Sequence, residues 1–321
     1  MKKERESGIE LLRVVAMSMI LILHFMTHGF TRKTMAPGMY CTLSPFVSGG
    51  ISLFFLITGW FGVKFKWRGV LKFIWTIFIF TIVNILLCAC VGKLPGTETL
   101  TWTILFPVSR GKYWFMQVYL ALLLTAPLLN AGLRELSLKD LRVLIGVLTL
   151  FTIYSCAIGH NLCNITGSTY MQGIYLYCLG HYLHRDDTLY RRIPQWGCIA
   201  IYLVMKGIIA LCLRYKWSLI NYLNYNSLPA LIAAVALFIV FTRLKFRSKF
   251  VNYLGAASFG CYLLQDGLFG NQYFYGVMHR WYLENSLWVV IGLSALTYAG
   301  IWGGAVLIHF IRERCRAIAR N

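Results

Sequence analysis

The sequence predicts an all-α integral membrane protein, a bundle of about ten transmembrane helices with both termini cytoplasmic. Three observations predict it. Of the 321 residues, 58% are hydrophobic and 13% are charged, whereas a soluble domain is roughly half apolar and a quarter charged. The mean hydropathy of +0.64 points the same way. Apolar runs recur along the whole chain at span length, and the Lys and Arg residues alternate between the segments that separate them. This composition excludes a soluble globular enzyme, a disordered chain and a secreted disulfide scaffold. At roughly 30 residues per span with its loop, the chain accommodates about ten helices and no separate soluble catalytic domain.

The runs place spans at 9–28, 47–65, 70–92, 113–132, 141–159, 169–184, 195–214, 227–243, 252–274 and 285–311. The first carries Glu10 and Arg13 near its start. It runs into Thr27-His28-Gly29 without a small-residue cleavage site, so it reads as a retained helix. The third contains Cys88 and Cys90. These and most of the other cysteines, ten in all, read as small buried apolar residues. The fourth opens on Tyr113-Trp114-Phe115, and the tenth follows Trp281-Tyr282, aromatic pairs suited to the membrane interface. The sixth, seventh and ninth are short or carry charge. No internal repeat or linker is visible.

Charge tests the span count. With the N-terminus inside, 22 of the 31 Lys and Arg fall in inner segments and eight in outer ones, Lys206 lying within a span. Inner segments include Lys2, Lys3, Arg5 and Arg13, then Lys64, Lys66, Arg68 and Lys72. Outer ones include Arg32 and Lys33, then Lys93, Arg110 and Lys112. This alternation is the positive-inside pattern. The net charge of +20 is thereby an orientation signal and makes no case for nucleic acid.

Ionisable groups inside a bilayer cost roughly 2.5–3.5 kcal/mol at a helix centre and so mark function by default. Arg13 and His24 are eleven residues apart, three turns plus about 20°, so one helix face presents both, about 16 Å apart along the axis. Glu10 precedes Arg13 by one turn, where an i,i+3 ion pair holds the guanidinium. An imidazole serves as a general base near neutral pH, and a cation binds an anionic group. The spacing alone equally fits an Arg13 that snorkels to headgroups and a His24 that hydrogen-bonds a neighbouring helix. His24 and His28, at i,i+4, also fit a shared metal, although no further ligand set is evident. Lys206 and Asp266 count to a similar depth, about 20 Å. They read either as a pair or as two separate groups facing a wet cavity. The basic cluster of Lys64, Lys66, Arg68 and Lys72 fits attraction to anionic lipid and equally capture of a phosphorylated donor. There is no GxSxG elbow, P-loop, HExxH or dinucleotide glycine run.

The Arg13-x10-His24 helix resembles the first span of membrane acyltransferase family 3, whose hallmark is a basic residue, ten residues and a His. Leu53-Phe54-Phe55-Leu56-Ile57-Thr58-Gly59-Trp60 is similar to the family's PLFFxISGY segment, with Thr58 for the usual Ser. Trp114-Phe115-Met116-Gln117-Val118-Tyr119-Leu120, followed by Ala126-Pro127-Leu128-Leu129-Asn130, is similar to its WFxxxYLxLLxxxPLLN helix. Ser258-Phe259-Gly260-Cys261-Tyr262-Leu263-Leu264 resembles SFGIYLxH, with Gln265 in place of the His. The family's Arg-x-x-Arg pair becomes Arg68-x-x-x-Lys72.

The resemblance implies a single transmembrane domain over 1–321 and a multi-pass O-acyltransferase of the cell membrane. Such an enzyme takes an acyl group, usually acetyl, from cytoplasmic acyl-CoA to a hydroxyl of a cell-surface or lipid-linked glycan. Acetyl-CoA is then a co-substrate, with no permanently bound cofactor and no metal. Acyl-CoA, the glycan acceptor and membrane lipids are the partners. In this reading His24 is the general base and Arg13, supported by Glu10, orients the donor. Lys64, Arg68 and Lys72 hold its phosphates. Tyr113, Trp114, Gln117, Ser258, Gln265 and Asp266 are candidates to meet the acceptor or the oxyanion. The main rival is a multi-pass transporter or flippase for a lipid-linked sugar or small anion, which Lys206 and Asp266 would suit. A sensor that kept the fold and lost the chemistry is a second.

Overall fold

The computed structural model describes residues 6–30, 35, 37–110, 113–158, 166–215 and 224–318, and every regular element among them is a helix. In chain order these are α1 (Ser7–His24), α2 (Pro37–Val47), α3 (Gly50–Phe61), α4 (Trp67–Cys90), α5 (Thr97–Leu105), α6 (Pro107–Arg110) and α7 (Trp114–Glu135). There follow α8 (Leu138–Ile158), α9 (Tyr170–Arg185), α10 (Gln195–Arg214), α11 (Leu228–Thr242), α12 (Lys249–Gln265), α13 (Tyr275–Glu284) and α14 (Leu287–Ile318). A π-helical turn extends α1 over Phe25–Gly29, and another, Gly270–Phe274, leads into α13.

Seven stretches among the described residues are long and apolar enough to cross a membrane: Ser7–Gly29, Gly38–Phe61, Trp67–Cys90, Trp114–Glu135, Leu138–Ala157, Gln195–Arg214 and Leu287–Cys315. The protein is a multi-pass membrane protein. Three of the ten expected spans are shorter helices. With 16, 15 and 17 residues, α9, α11 and α12 reach about 24, 22 and 26 Å, against a hydrocarbon core of roughly 30 Å.

Two boundaries are corrected. The span expected at 47–65 begins ten residues earlier, because α2 and α3 form one broken helix, with Gly49 at φ 92 between them. The span expected at 252–274 ends at Gln265, where Asp266 leaves the helical region. Helices α5, α6 and α13 occupy what the hydropathy pattern leaves as loops. Cys90 and Cys315 are exposed rather than buried, while Cys88, Cys156, Cys178, Cys198, Cys212 and Cys261 are buried. Lys2, Lys3, Arg5, Arg32, Lys33, Lys112 and the last residue of the 141–159 span lie outside the described residues.

The chain divides into two compact units. The first comprises Met1–Ala36, Leu71–Tyr113 and Arg247–Asn321, and the second Pro37–Val70 and Trp114–Phe246. In the first, α1 packs along α12, and α12 along α14. Ser7 ties the starts of α1 and α12 together: its hydroxyl donates to Asn252 Oδ1 at 2.9 Å and accepts from the Ser248 N–H at 2.9 Å. Gly255 lets the two helices close, since a Cβ there would lie 2.3 Å from Glu10 Oε2. Ser18 of α1 and Tyr298 of α14 share a 2.6 Å hydroxyl contact. Asn84 of α4 bridges the end of α12: its Nδ2 donates to Leu263 O at 3.0 Å, and its Oδ1 accepts from Phe269 N at 3.2 Å.

In the second unit, α3 crosses α9 at backbone distance. A Cβ on Gly59 would lie 2.0 Å from Tyr177 O, and one on Gly180 would lie 2.3 Å from Leu56 O. Small residues at membrane helix crossings permit this approach. Past α3, the Tyr177 hydroxyl donates to Asn130 Oδ1 and accepts from Val63 N, and Asn130 Nδ2 donates to Val63 O. The break between α2 and α3 is closed from α10. Tyr202 donates to Phe46 O at 2.8 Å, and Lys206 Nζ donates to Ser48 O at 2.9 Å and Ser48 Oγ at 3.1 Å. Beyond the end of α9, Asp186 is buried under Thr188, Arg142 and Tyr182, all donating to its carboxylate. The Thr188 hydroxyl and the Arg142 guanidinium hold its carboxyl well below the usual carboxylate range.

Candidate functional site

Arg13 and His24 both lie on α1, an unbroken α-helix from Ser7 to His24, so the same-face geometry read from their spacing holds. Arg13 Nη1 donates to Glu10 Oε1 at 2.8 Å, as the i,i+3 spacing predicts; the carboxylate side chain is 6% exposed and the guanidinium 30%. A buried acid thus fixes a cation that keeps an open face.

His24 closes the last α-turn, and the chain then widens into the Phe25–Gly29 π-turn. Such insertions recur at functional sites. The imidazole meets the end of α12: Nδ1 lies 3.2 Å from Gln265 Oε1 and 4.0 Å from Asp266 Oδ1. Gln265 Oε1 also accepts the Tyr275 hydroxyl at 2.9 Å. An amide oxygen only accepts, so His24 Nδ1 carries the proton and donates it. That places the lone pair of the neutral ring on Nε2, the tautomer logic of histidines anchored at one nitrogen. The His28 ring stands edge-on to His24, with centroids 5.1 Å apart, and 5.3 Å from that of Tyr275. No group of three His, Cys, Asp or Glu side chains with metal-holding geometry occurs among the described residues.

Gln265 is 1% exposed, and its Nε2 has no hydrogen-bond partner. One face of this amide is occupied by two donors, and its own donor is unused. Other expected contributors are already engaged. The Tyr113 hydroxyl donates to Leu263 O at 3.0 Å, and the Ser258 hydroxyl to Gly255 O at 2.8 Å in its own helix. Trp114 and Gln117 belong to α7 in the second unit, where the Trp114 ring packs 6.1 Å from that of Tyr225 and Gln117 is exposed. Lys64 and Arg68 are exposed in the second unit, and Lys72 is exposed on the α4 turn that enters the first. Lys206 finds its acceptors at Ser48.

The structure therefore brings together His24, Gln265 and Asp266, and separately Glu10 and Arg13. Sequence reasoning missed Tyr275. It lies in the aromatic run Tyr273-Phe274-Tyr275, which looks like an interface belt, and only the turn of the chain after Gln265 aims it back at the amide.

A family model described as an acyltransferase domain, of the acyltransferase 3 type, matches residues 6–308. The protein belongs to the acyltransferase 3 family. The match covers nearly the whole of this acyltransferase, including both α1 and α12. No curated protein and no solved structure matches the chain. Membership supports a membrane-embedded enzyme of the acyl-transfer class, for which an acyl-CoA co-substrate is consistent.

Proposed function

We propose that this acyltransferase moves an acyl group, acetyl in the simplest case, from cytoplasmic acyl-CoA to a hydroxyl of a cell-surface or lipid-linked glycan. The observation that supports this reading most is the anchored tautomer of His24, with Nδ1 donating to Gln265 Oε1. In the proposed mechanism, Nε2 removes the proton of the acceptor hydroxyl as its oxygen attacks the thioester carbonyl. The new C–O bond converts the carbonyl to an oxyanion, and Gln265 Nε2 donates to it. Collapse breaks the C–S bond, and the imidazolium returns its proton to the departing thiolate. Asp266, 4.0 Å from Nδ1, stabilises the transient cation.

Arg13, steadied by Glu10, orients the donor about 16 Å along α1 from His24. Lys64, Arg68 and Lys72 are the proposed contacts for the coenzyme's phosphates. Trp114 and Gln117 are the proposed contacts for the acceptor sugar. Ten crossings of the plasma (inner) membrane with both ends cytoplasmic complete the reading, α9, α11 and α12 serving as short spans.

Membranes holding the wild type or His24→Ala, given radiolabelled acetyl-CoA and the lipid-linked glycan pool, test it. Transfer falls by roughly 10²–10⁴-fold in the variant, while coenzyme binding persists. Unchanged transfer overturns the base role. Glycan movement across the membrane without release of free CoA favours the transporter.

A further inference from the structure

An apolar groove of about 440 Å³ opens in the first unit between α4, α12 and α14. Val83 and Leu87 of α4, Leu264 of α12, Phe274, and Ile301 and Leu307 of α14 line it, and Gln265 is its polar residue beside Thr297. Two features separate it from ordinary lipid-facing surface. Gln265 is the residue that holds His24, and its buried Nε2 has no partner. The wall on α14 is kept low by Gly300 and Gly304; a Cβ at Gly300 would meet no atom within 4 Å.

The groove's size decides against acetyl as its occupant. A volume of roughly 300–1,000 Å³ is that of a small-molecule site. An acetyl methyl, comparable to a water with its share of roughly 30 Å³, leaves most of the groove empty. Its chemistry decides against a sugar, which would need several hydrogen-bond partners. Gln265 both lines the groove and holds His24, so a chain seated here has its head beside the imidazole. A lipid-linked glycan has sugars between its reacting hydroxyl and its tail; a fatty acyl group has its carbonyl and its tail on adjacent atoms.

We infer that the groove seats the aliphatic chain of an acyl donor longer than acetyl, with Gln265 Nε2 donating to the carbonyl oxygen at its inner end. The inference rests on the acyl-transfer reading above and deepens it by naming the class of acyl group. Each methylene brought out of water favours binding by roughly fourfold, so the groove acts as a ruler for chain length.

Two measurements test it. First, transfer from acetyl-, butyryl-, hexanoyl- and octanoyl-CoA is compared between the wild type and Gly300→Leu. The ratio of octanoyl to acetyl transfer exceeds one in the wild type and falls at least tenfold in the variant. A wild type that transfers acetyl alone, or a ratio unmoved by the substitution, overturns the inference. Second, purified full-length protein is photolabelled with a diazirine-tailed octanoyl-CoA and the labelled peptides are mapped. This readout does not depend on transfer, so it stands apart from a failure of the acyl-transfer reading. Labels within 83–87, 264–274 or 297–308 that octanoyl-CoA competes away and acetyl-CoA does not support the groove. Labels elsewhere, or labels that octanoyl-CoA fails to displace because membrane lipid fills the groove, overturn it.

Discussion

Two broken helices in this protein meet the same physical problem and end differently. A break within a membrane frees backbone polar groups, and each left unsatisfied costs several kcal/mol. Between α2 and α3, Tyr202 and Lys206 of α10 reach Phe46 O, Ser48 O and Ser48 Oγ, and Gly49 makes the turn. After α12 the backbone is equally well served, by Asn84, Tyr113 and Asn271 donating to Leu263 O and Asp266 O. The difference lies in the side chains. The first break uses its polar groups on the backbone, whereas the second gathers an imidazole, a carboxylate and an amide whose Nε2 is unmatched. A closed break holds shape, and one with a donor in reserve is where the proposed mechanism places its ligand.

Substitutions sharpen that contrast. The largest effect falls on stability at the closed break. Lys206→Met removes the donor to two acceptors at once and costs roughly 1–3 kcal/mol, read as a lower melting temperature. Transfer per folded molecule stays near the wild-type rate. A variant that melts normally but loses transfer would erase the distinction. At the open break the order reverses. Gln265→Leu lowers kcat by about 10²-fold, because it removes the proposed oxyanion donor together with the imidazole's anchor, and Tyr275→Phe lowers it by a few-fold, because it loosens only the amide that holds the imidazole. Both melt within about 1 kcal/mol of the wild type. Rescue by Gln265→Asn, but not by Gln265→Leu, separates an anchoring amide from simple packing.

The smallest effect is a pH slope. The Asp186 carboxyl is held below its unfolded value of 3.8, first by the Thr188 hydroxyl and then by Arg142. Its stabilisation is therefore complete above that value and is lost as pH falls through the lower folded one. Melting curves between pH 6 and pH 3 should steepen their decline below about pH 4, and Asp186→Asn should flatten that decline while lowering stability at pH 6.

The chain disclosed its long helices well. The runs at 70–92, 113–132 and 195–214 end within a few residues of α4, α7 and α10, because a predominantly apolar stretch of twenty residues or more overrides an occasional polar residue. The Glu10–Arg13 pair was equally readable, being a matter of helical spacing. The breaks were not. Met39-Tyr40-Cys41-Thr42-Leu43-Ser44-Pro45 is too polar to resemble a span until Lys206 and Tyr202 are seen to complete it. Asp266 is visible in the sequence as an intramembrane charge, but the apolar run to 274 places it within a helix rather than just past its end. The partner of His24 was out of reach for another reason. Gln265 is 241 residues away in sequence, and no periodicity links positions so far apart.

The crossing of α3 and α9 has a consequence for how the protein is made. Gly59 and Gly180 stand about 120 residues apart in the chain. At roughly 5–20 residues per second of synthesis, α3 enters the membrane on the order of 10 s before its mate exists. During that interval its glycine seam faces lipid, with no backbone of α9 to fill it. A bulky residue at either glycine would block the union however well each helix had inserted.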